Sequence, residues 1–150
     1  MTATVLAVLG TLAGAALTGW MQLRSAAGAR RAAAAAETTT ARRAAVVDLL
    51  AAVEDHRRAM WVREEARLAG APADRVQQLR AASHETRSAV TRPHASVILL
   101  APDLQGAADA LVSSAYALRD AATADELSAA RAASVAARQA YISAAAATAR

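Results

Sequence analysis

Residues 46–60 read VVDLLAAVEDHRRAM, and their spacing decides the fold. Apolar or uncharged residues recur every three or four positions, which is the period at which side chains share one face of an α-helix. Acids and arginines occupy the other positions, so this segment predicts an amphipathic helix that buries one face. Alternation typical of a β-strand appears nowhere in the chain. The predicted buried face consists of Val46, Leu49, Leu50, Val53, His56, Met60 and, after a longer gap, Leu68.

Glycine and proline divide the rest of the chain into further helices. Gly70 is placed to end the first helix, and Asp74 is placed to cap the second. The second helix is predicted over about 75–101, and Pro93 either kinks it or restarts it. Its predicted inward residues are Val76, Leu79, Val90, Val97, Ile98 and Leu100.

Two more helices follow the same logic. Pro102 is placed to open a third helix, and Thr123 with Glu126 forms the T-x-x-E pattern of a capping box before a fourth. Val135, Tyr141 and Ile142 are the predicted inward residues of the fourth helix.

Alanine dominates the composition and shapes the predicted core. The chain has 48 Ala in 150 residues and no Phe, so helix propensity is high and large core side chains are few. We therefore predict an all-α protein, in which residues 46–150 form an antiparallel bundle of three to four closely approaching helices.

The N-terminal segment predicts a membrane anchor, residues 1–23. Thr2 to Leu23 contains no charged side chain. Its 22 residues would cover roughly 33 Å as a helix, close to the thickness of the bilayer core. Trp20 and Arg24 suit the interface at its end. A cleaved signal peptide and a buried soluble helix are the alternatives; the absence of Lys or Arg before the apolar run disfavours the signal peptide.

Charge distribution predicts the topology. Residues 1–43 contain five Arg and one Glu, whereas residues 44–150 contain 12 Arg and 12 acids. Positive charge after a first span keeps that side in the cytoplasm, so we expect a single-pass cell-membrane protein with its N-terminus outside and its bundle in the cytoplasm.

Residues 24–45 predict a juxtamembrane stalk that continues the membrane helix. They combine Ala with Arg and offer no apolar stripe to bury. Near a membrane, each arginine would attract anionic headgroups by about 1 kcal/mol. The predicted lipid or phosphate contacts are Arg30, Arg31, Arg42 and Arg43.

Small residues within the predicted span favour self-association. Gly10 and Gly14 form a G-x-x-x-G pattern, and Thr18 continues the same row, so two helices could approach closely. We expect a homo-oligomer, although an Ala/Gly-rich chain also produces such spacings by chance.

The residue types and spacings in the sequence do not predict catalysis or cofactor binding. The chain has no Cys, and its three His residues have no i, i+4 pair for a helix-borne metal site. Glu64 and Glu65 are adjacent and diverge by about 100° on a helix, so they cannot flank one substrate. No catalytic residue, metal site or cofactor is predicted.

A charged segment around Trp61 is the candidate protein contact. Pairing of Glu54 with Arg58, and of Glu64 with Arg67, predicts a solvated helix face. An aromatic residue among arginines is also typical of a contact spot between proteins. The predicted partner contacts are Arg57, Arg58, Trp61 and Arg63.

Two segments carry a resemblance to a known family. DHRRAMWVRE (55–64) and SHETRSAVTRP (83–93), together with the uncharged start and the Arg/Ala stalk, resemble the KilB-type proteins of actinobacteria. The resemblance implies a membrane protein that assists conjugative plasmid transfer or spread, with proteins of the transfer apparatus as partners and no family active site.

A membrane-tethered DNA-binding accessory protein is the alternative function. It would use the basic stripe from Arg24 to Arg43, and its affinity would fall steeply with salt. The bundle itself is formally neutral and poor in aromatic residues, so no nucleic-acid partner is predicted under the leading hypothesis.

Overall fold

The computed structural model describes the backbone of residues 2–148 and the side chains of residues 20–22 and 24–148. Four α-helices follow one another: α1 (Thr2–Leu68), α2 (Ala73–Leu100), α3 (Gln105–Tyr116) and α4 (Ala124–Thr148). A short 3₁₀ helix, Pro102–Leu104, precedes α3. The predicted all-α class is confirmed, and none of the described residues lies in a strand.

The chain divides into two compact units, Met1–Thr40 and Ala41–Arg150. In the first unit, the Arg24 guanidinium lies 4.9 Å from the centre of the Trp20 ring. Thr38, Thr39 and Thr40 each donate a hydroxyl hydrogen bond to the carbonyl four residues earlier, at 2.9 Å.

The second unit is the helical bundle, and α4 runs antiparallel to its part of α1. Arg131 lies over Trp61, and the Tyr141 hydroxyl donates to the Val46 carbonyl at 3.4 Å. Moving forward along α4 therefore moves backward along α1. The bundle begins before the predicted position 46, because Ala45 is already buried in its core.

Two clusters of buried side chains hold the bundle together. The larger includes residues from all four helices and the 3₁₀ helix, with Tyr141 as its largest fully buried side chain. The smaller consists of Met60, Leu118, Ala121 and Leu127. The larger cluster includes the helical residues Ala45, Ala108 and Ala115, whose small side chains allow close approach of helices, as the composition predicts.

The helix ends follow the local sequence with one exception. Gly70 adopts φ +71°, and its amide donates a hydrogen bond to the Arg67 carbonyl. The amide of the next residue, Ala71, donates to the Ala66 carbonyl. These two hydrogen bonds form a Schellman motif at the end of α1. The predicted cap at Asp74 is wrong: α2 begins at Ala73, after Pro72, and has no side-chain cap.

The starts of the last two helices agree with prediction. Pro102 opens the 3₁₀ turn that leads into α3. Thr123 Oγ1 accepts from the Glu126 amide at 3.1 Å, and the Glu126 carboxylate accepts from the Ala122 amide at 2.8 Å. The capping box is therefore formed, except that the Glu126 carboxylate accepts from the Ala122 amide in place of the Thr123 amide.

Several inward assignments are wrong. Val135 is 46% exposed, and its neighbour Ser134 is buried instead. Leu100 is 39% exposed, and Leu99 beside it is 79% exposed. Pro93 lies inside α2, which continues without interruption.

Candidate functional site

A groove in the bundle brings together charged residues that are distant in sequence. It has a volume of about 160 Å³ and is lined by residues of α1, α2, α3 and the turn after α3. We call it the basic groove, because its lining includes Arg63, Arg80, Arg87, Arg119, His56 and His84.

His56 forms the buried wall of the basic groove. Its Nδ1 lies 3.0 Å from the Thr86 hydroxyl, and its ring meets Tyr116 edge-on with centroids 5.2 Å apart. Burial lowers the pKa of His56, and the positive charge of Arg87 lowers it further. Both effects favour the neutral form of the imidazole over the charged form.

The Tyr116 ring contacts one arginine of the groove. The Arg87 guanidinium lies 4.9 Å from the centre of the Tyr116 ring, a cation–π geometry. This contact holds Arg87 beside the groove, although Arg87 itself is exposed.

Glu64 lies in the bundle interior and not on the predicted solvated face. The prediction of a solvated position is wrong for this residue, because its side chain is fully buried. Its carboxylate accepts from Arg67 Nε at 2.7 Å and lies 3.3 Å from Arg63 Nε. Arg67 also donates to the Ala121 carbonyl, so the ion pair ties α1 to the turn before α4.

The helical spacing of the residues around Glu64 could have predicted that Glu64 is buried. Glu64 lies four residues after Met60 and four before Leu68, and therefore fills the longer gap in the predicted buried face. The pair with Arg67 is confirmed, whereas its solvated position is wrong.

The predicted partner contacts do not form one patch. Arg57 pairs with Glu54 at 2.7 Å, in place of the predicted pairing with Arg58, which is exposed. Trp61 is half-buried beneath Arg131, whose guanidinium lies 4.6 Å from the ring centre. Arg63 points to another side of α1 and lines the basic groove.

The arginines of the predicted stalk differ in their surroundings. Arg42 donates to both carboxylate oxygens of Asp103, at 2.7 and 2.6 Å, and to the Thr148 hydroxyl at 3.0 Å. Arg30, Arg31 and Arg43 are exposed.

Some predictions concern residues outside the described side chains. Gly10, Gly14 and Thr18 lie there, as does most of the predicted span 1–23. Within the described part of the chain, no single helix passes for a membrane span by length and hydropathy; the bent pair Ala73–Leu100 with Pro102–Tyr116 does so by those criteria alone.

Metal ligands are not grouped in the described part of the chain. No set of three His, Asp or Glu side chains lies close enough together there to hold an ion. His94 and Asp109 form a pair of such groups, whose Nε2 and Oδ1 are 2.7 Å apart and link α2 to α3.

Comparison with known proteins identifies the family. The model of the KilB plasmid transfer protein family matches residues 43–149, which cover nearly all of the bundle. The chain belongs to the KilB family. Protein KilB of Streptomyces lividans is 45% identical over 146 residues, covering 97% of each chain. No solved structure matches the chain.

The family membership confirms the resemblance to KilB-type proteins. The segments 55–64 and 83–93 both lie in the matched range. They supply much of the basic groove, since 55–64 contains His56 and Arg63, and 83–93 contains His84 and Arg87.

Proposed function

We propose that this KilB-family chain is a single-span membrane protein whose cytoplasmic bundle assists conjugative plasmid transfer by contacting other proteins, including further copies of itself. The observation that carries the proposal is the uncharged run from Thr2 to Leu23, followed at once by Arg24. Its length suits one span, and the arginines after it favour a cytoplasmic bundle.

Exposed apolar side chains support contacts between copies. Val47 is 62% exposed and Leu99 is 79% exposed. Both lie at the end of the bundle where Arg42 meets Asp103, because Val47 follows Arg42 by five residues and Leu99 precedes Asp103 by four. Apolar surface in one region is typical of an interaction site.

Cysteine labelling tests the anchor and the topology. The chain has no Cys, and Ser113 on α3 is exposed, so Ser113→Cys introduces one reactive thiol. We expect the full chain in the membrane fraction, labelled by a membrane-impermeant maleimide only after lysis. Labelling of intact cells would contradict the topology, and recovery in the soluble fraction would contradict the anchor.

Cross-linking in membranes tests self-association. We expect the full chain carrying Leu99→Cys to form disulfide-linked dimers on mild oxidation. The matched control is Ser128→Cys, an exposed position near the start of α4 and so at the other end of the bundle. Equal dimer yields from both variants would indicate random collision and contradict an interface at Leu99.

Exposed arginines keep DNA binding as a second candidate. Arg30, Arg31 and Arg43 are exposed, whereas Arg42 is occupied by Asp103. Phosphate contacts would make DNA affinity of the full chain fall steeply with salt and fall again in Arg30→Gln/Arg31→Gln. The leading proposal expects little DNA binding by either protein.

A further inference from the structure

The basic groove collects positive charge from three separate parts of the bundle. Arg63 comes from α1, Arg80 and Arg87 come from α2, and Arg119 comes from the turn after α3. No acidic side chain is among its lining residues in the described part of the chain. Four cations around one concavity repel one another unless anions balance them.

Only part of this charge is balanced within the protein. Arg63 Nε lies 3.3 Å from the Glu64 carboxylate, and Arg119 Nε lies 3.0 Å from the Asp120 carboxylate. Among the described residues, neither Arg80 nor Arg87 has an acidic partner within ion-pair distance. Two positive charges therefore remain uncompensated beside the groove.

The ion pair of Arg63 with Glu64 beside the groove lacks a hydrogen bond between its two facing atoms. Arg63 Nε and Glu64 Oε1 are both buried and lie 3.3 Å apart, and neither makes a hydrogen bond within the described structure. A buried polar group in this state normally costs about 1–3 kcal/mol, more when charged. Native structures usually satisfy such groups with a partner, water or ion.

We propose that the basic groove binds the phosphate group of a small anionic ligand. Guanidinium forks match the oxygens of a phosphate and bind them through paired hydrogen bonds. The volume of about 160 Å³ has room for several water molecules, and so for a phosphate group in their place. The groove is a single concavity, which suits a small ligand better than a polymer backbone.

Two sources could supply this phosphate chemistry: a soluble phosphate compound or the headgroup of an anionic lipid. The test uses the full chain in neutral detergent micelles. One arm measures heat of binding with sodium pyrophosphate, against sodium chloride at the same ionic strength. The other arm measures the thermal unfolding midpoint in mixed micelles containing phosphatidic acid, against phosphatidylcholine.

Matched variants show whether binding occurs in the groove. Arg80→Gln and Arg87→Gln each remove one uncompensated charge, and Arg75→Gln removes the same charge from an exposed position of α2 outside the groove. Circular dichroism without ligand checks that each variant folds. We expect affinity to fall at least about tenfold in each groove variant. Arg75→Gln should bind like the parent chain.

The two arms identify the source and can also overturn the proposal. Pyrophosphate binding that depends on Arg80 and Arg87 supports a soluble phosphate ligand. Stabilisation only by phosphatidic acid, with the same dependence, supports a lipid headgroup. No response in either arm, or equal losses in the Arg75 and Arg80 variants, would overturn the proposal.

Discussion

Arg42 and Asp103 join the start of the bundle to the 3₁₀ helix through two parallel hydrogen bonds of 2.7 and 2.6 Å. The two residues are 61 positions apart, so the pair closes a large loop of the chain. The hydrogen bond from Arg42 holds the pKa of Asp103 below its ordinary value, and Asp103 raises the pKa of Arg42. A residue of the predicted stalk thus takes part in the bundle.

We expect Arg42→Gln and Asp103→Asn each to lower the thermal unfolding midpoint. The unfolding midpoint of the double variant should fall by less than the sum of the two single decreases, because either substitution alone already removes the ion pair. Arg43→Gln is the control, because Arg43 is exposed beside Arg42. Additive losses in the double variant would show that the pair contributes nothing to stability.

The ion pair of Arg42 with Asp103 should weaken at acidic pH, where the Asp103 carboxylate becomes protonated. The depressed pKa of Asp103 means that its contribution is present above its ordinary value of 3.8 and is lost as pH falls below that value. In urea titrations from pH 5 to pH 2, Asp103→Asn should show a smaller loss of stability than the parent chain. Identical curves would contradict this assignment.

Glu64→Ala should be strongly destabilising. The change leaves Arg63 and Arg67 without their buried carboxylate, and breaking a buried pair costs about 3–5 kcal/mol. Glu65→Ala is the matched control on the adjacent, exposed position, where we expect a change within about 0.5 kcal/mol. Chemical denaturation measures both; comparable losses would contradict the buried position of Glu64.

His56 should make stability depend on pH near neutrality. Its folded pKa lies below the ordinary value of 6.5, so the unfolded chain binds more protons in the window just below 6.5. Stability should therefore decrease as pH falls from 7 toward 5. His56→Gln should flatten this part of the profile.

The neighbours of His56 supply the control for that experiment. Arg87 and His84 both disfavour a charged His56, and the Tyr116 ring and Thr86 hydroxyl contact it. His84 is exposed, so His84→Gln should retain most of the pH dependence. If His84→Gln flattened the profile as much as His56→Gln, the assignment to His56 would be wrong.

Tyr141 should contribute to the stability of the bundle mainly through burial of its ring. The side chain is fully buried, and its hydroxyl hydrogen bond to Val46 is long at 3.4 Å. Tyr141→Phe should cost about 0.5 kcal/mol, whereas Tyr141→Ala should cost about 3–5 kcal/mol through the cavity it leaves. Burial raises the pKa of Tyr141 to about 12, so an alkaline absorbance titration should lose its latest step in Tyr141→Phe.

The sequence determined the helices and most of their ends. The three-to-four spacing after Val46 predicts α1, and Gly70, Pro102 and the Thr123–Glu126 box mark breaks that the structure confirms. These features depend on residues within one helical turn, so they are readable without knowledge of the neighbours. The family that the resemblance of residues 55–64 and 83–93 implies is also confirmed.

Only the tertiary structure decided which charged side chains are buried and which of them form ion pairs. The same local pattern allowed Glu54 to pair with Arg57 or Arg58, and allowed Glu64 to face water or the core. The choice depends on the angle at which α2, α3 and α4 pack on α1, because helix packing sets which positions lose contact with water. For the same reason, the basic groove could not be found from sequence: Arg63, Arg80 and Arg119 lie on separate segments, and only packing of these segments places them around one concavity.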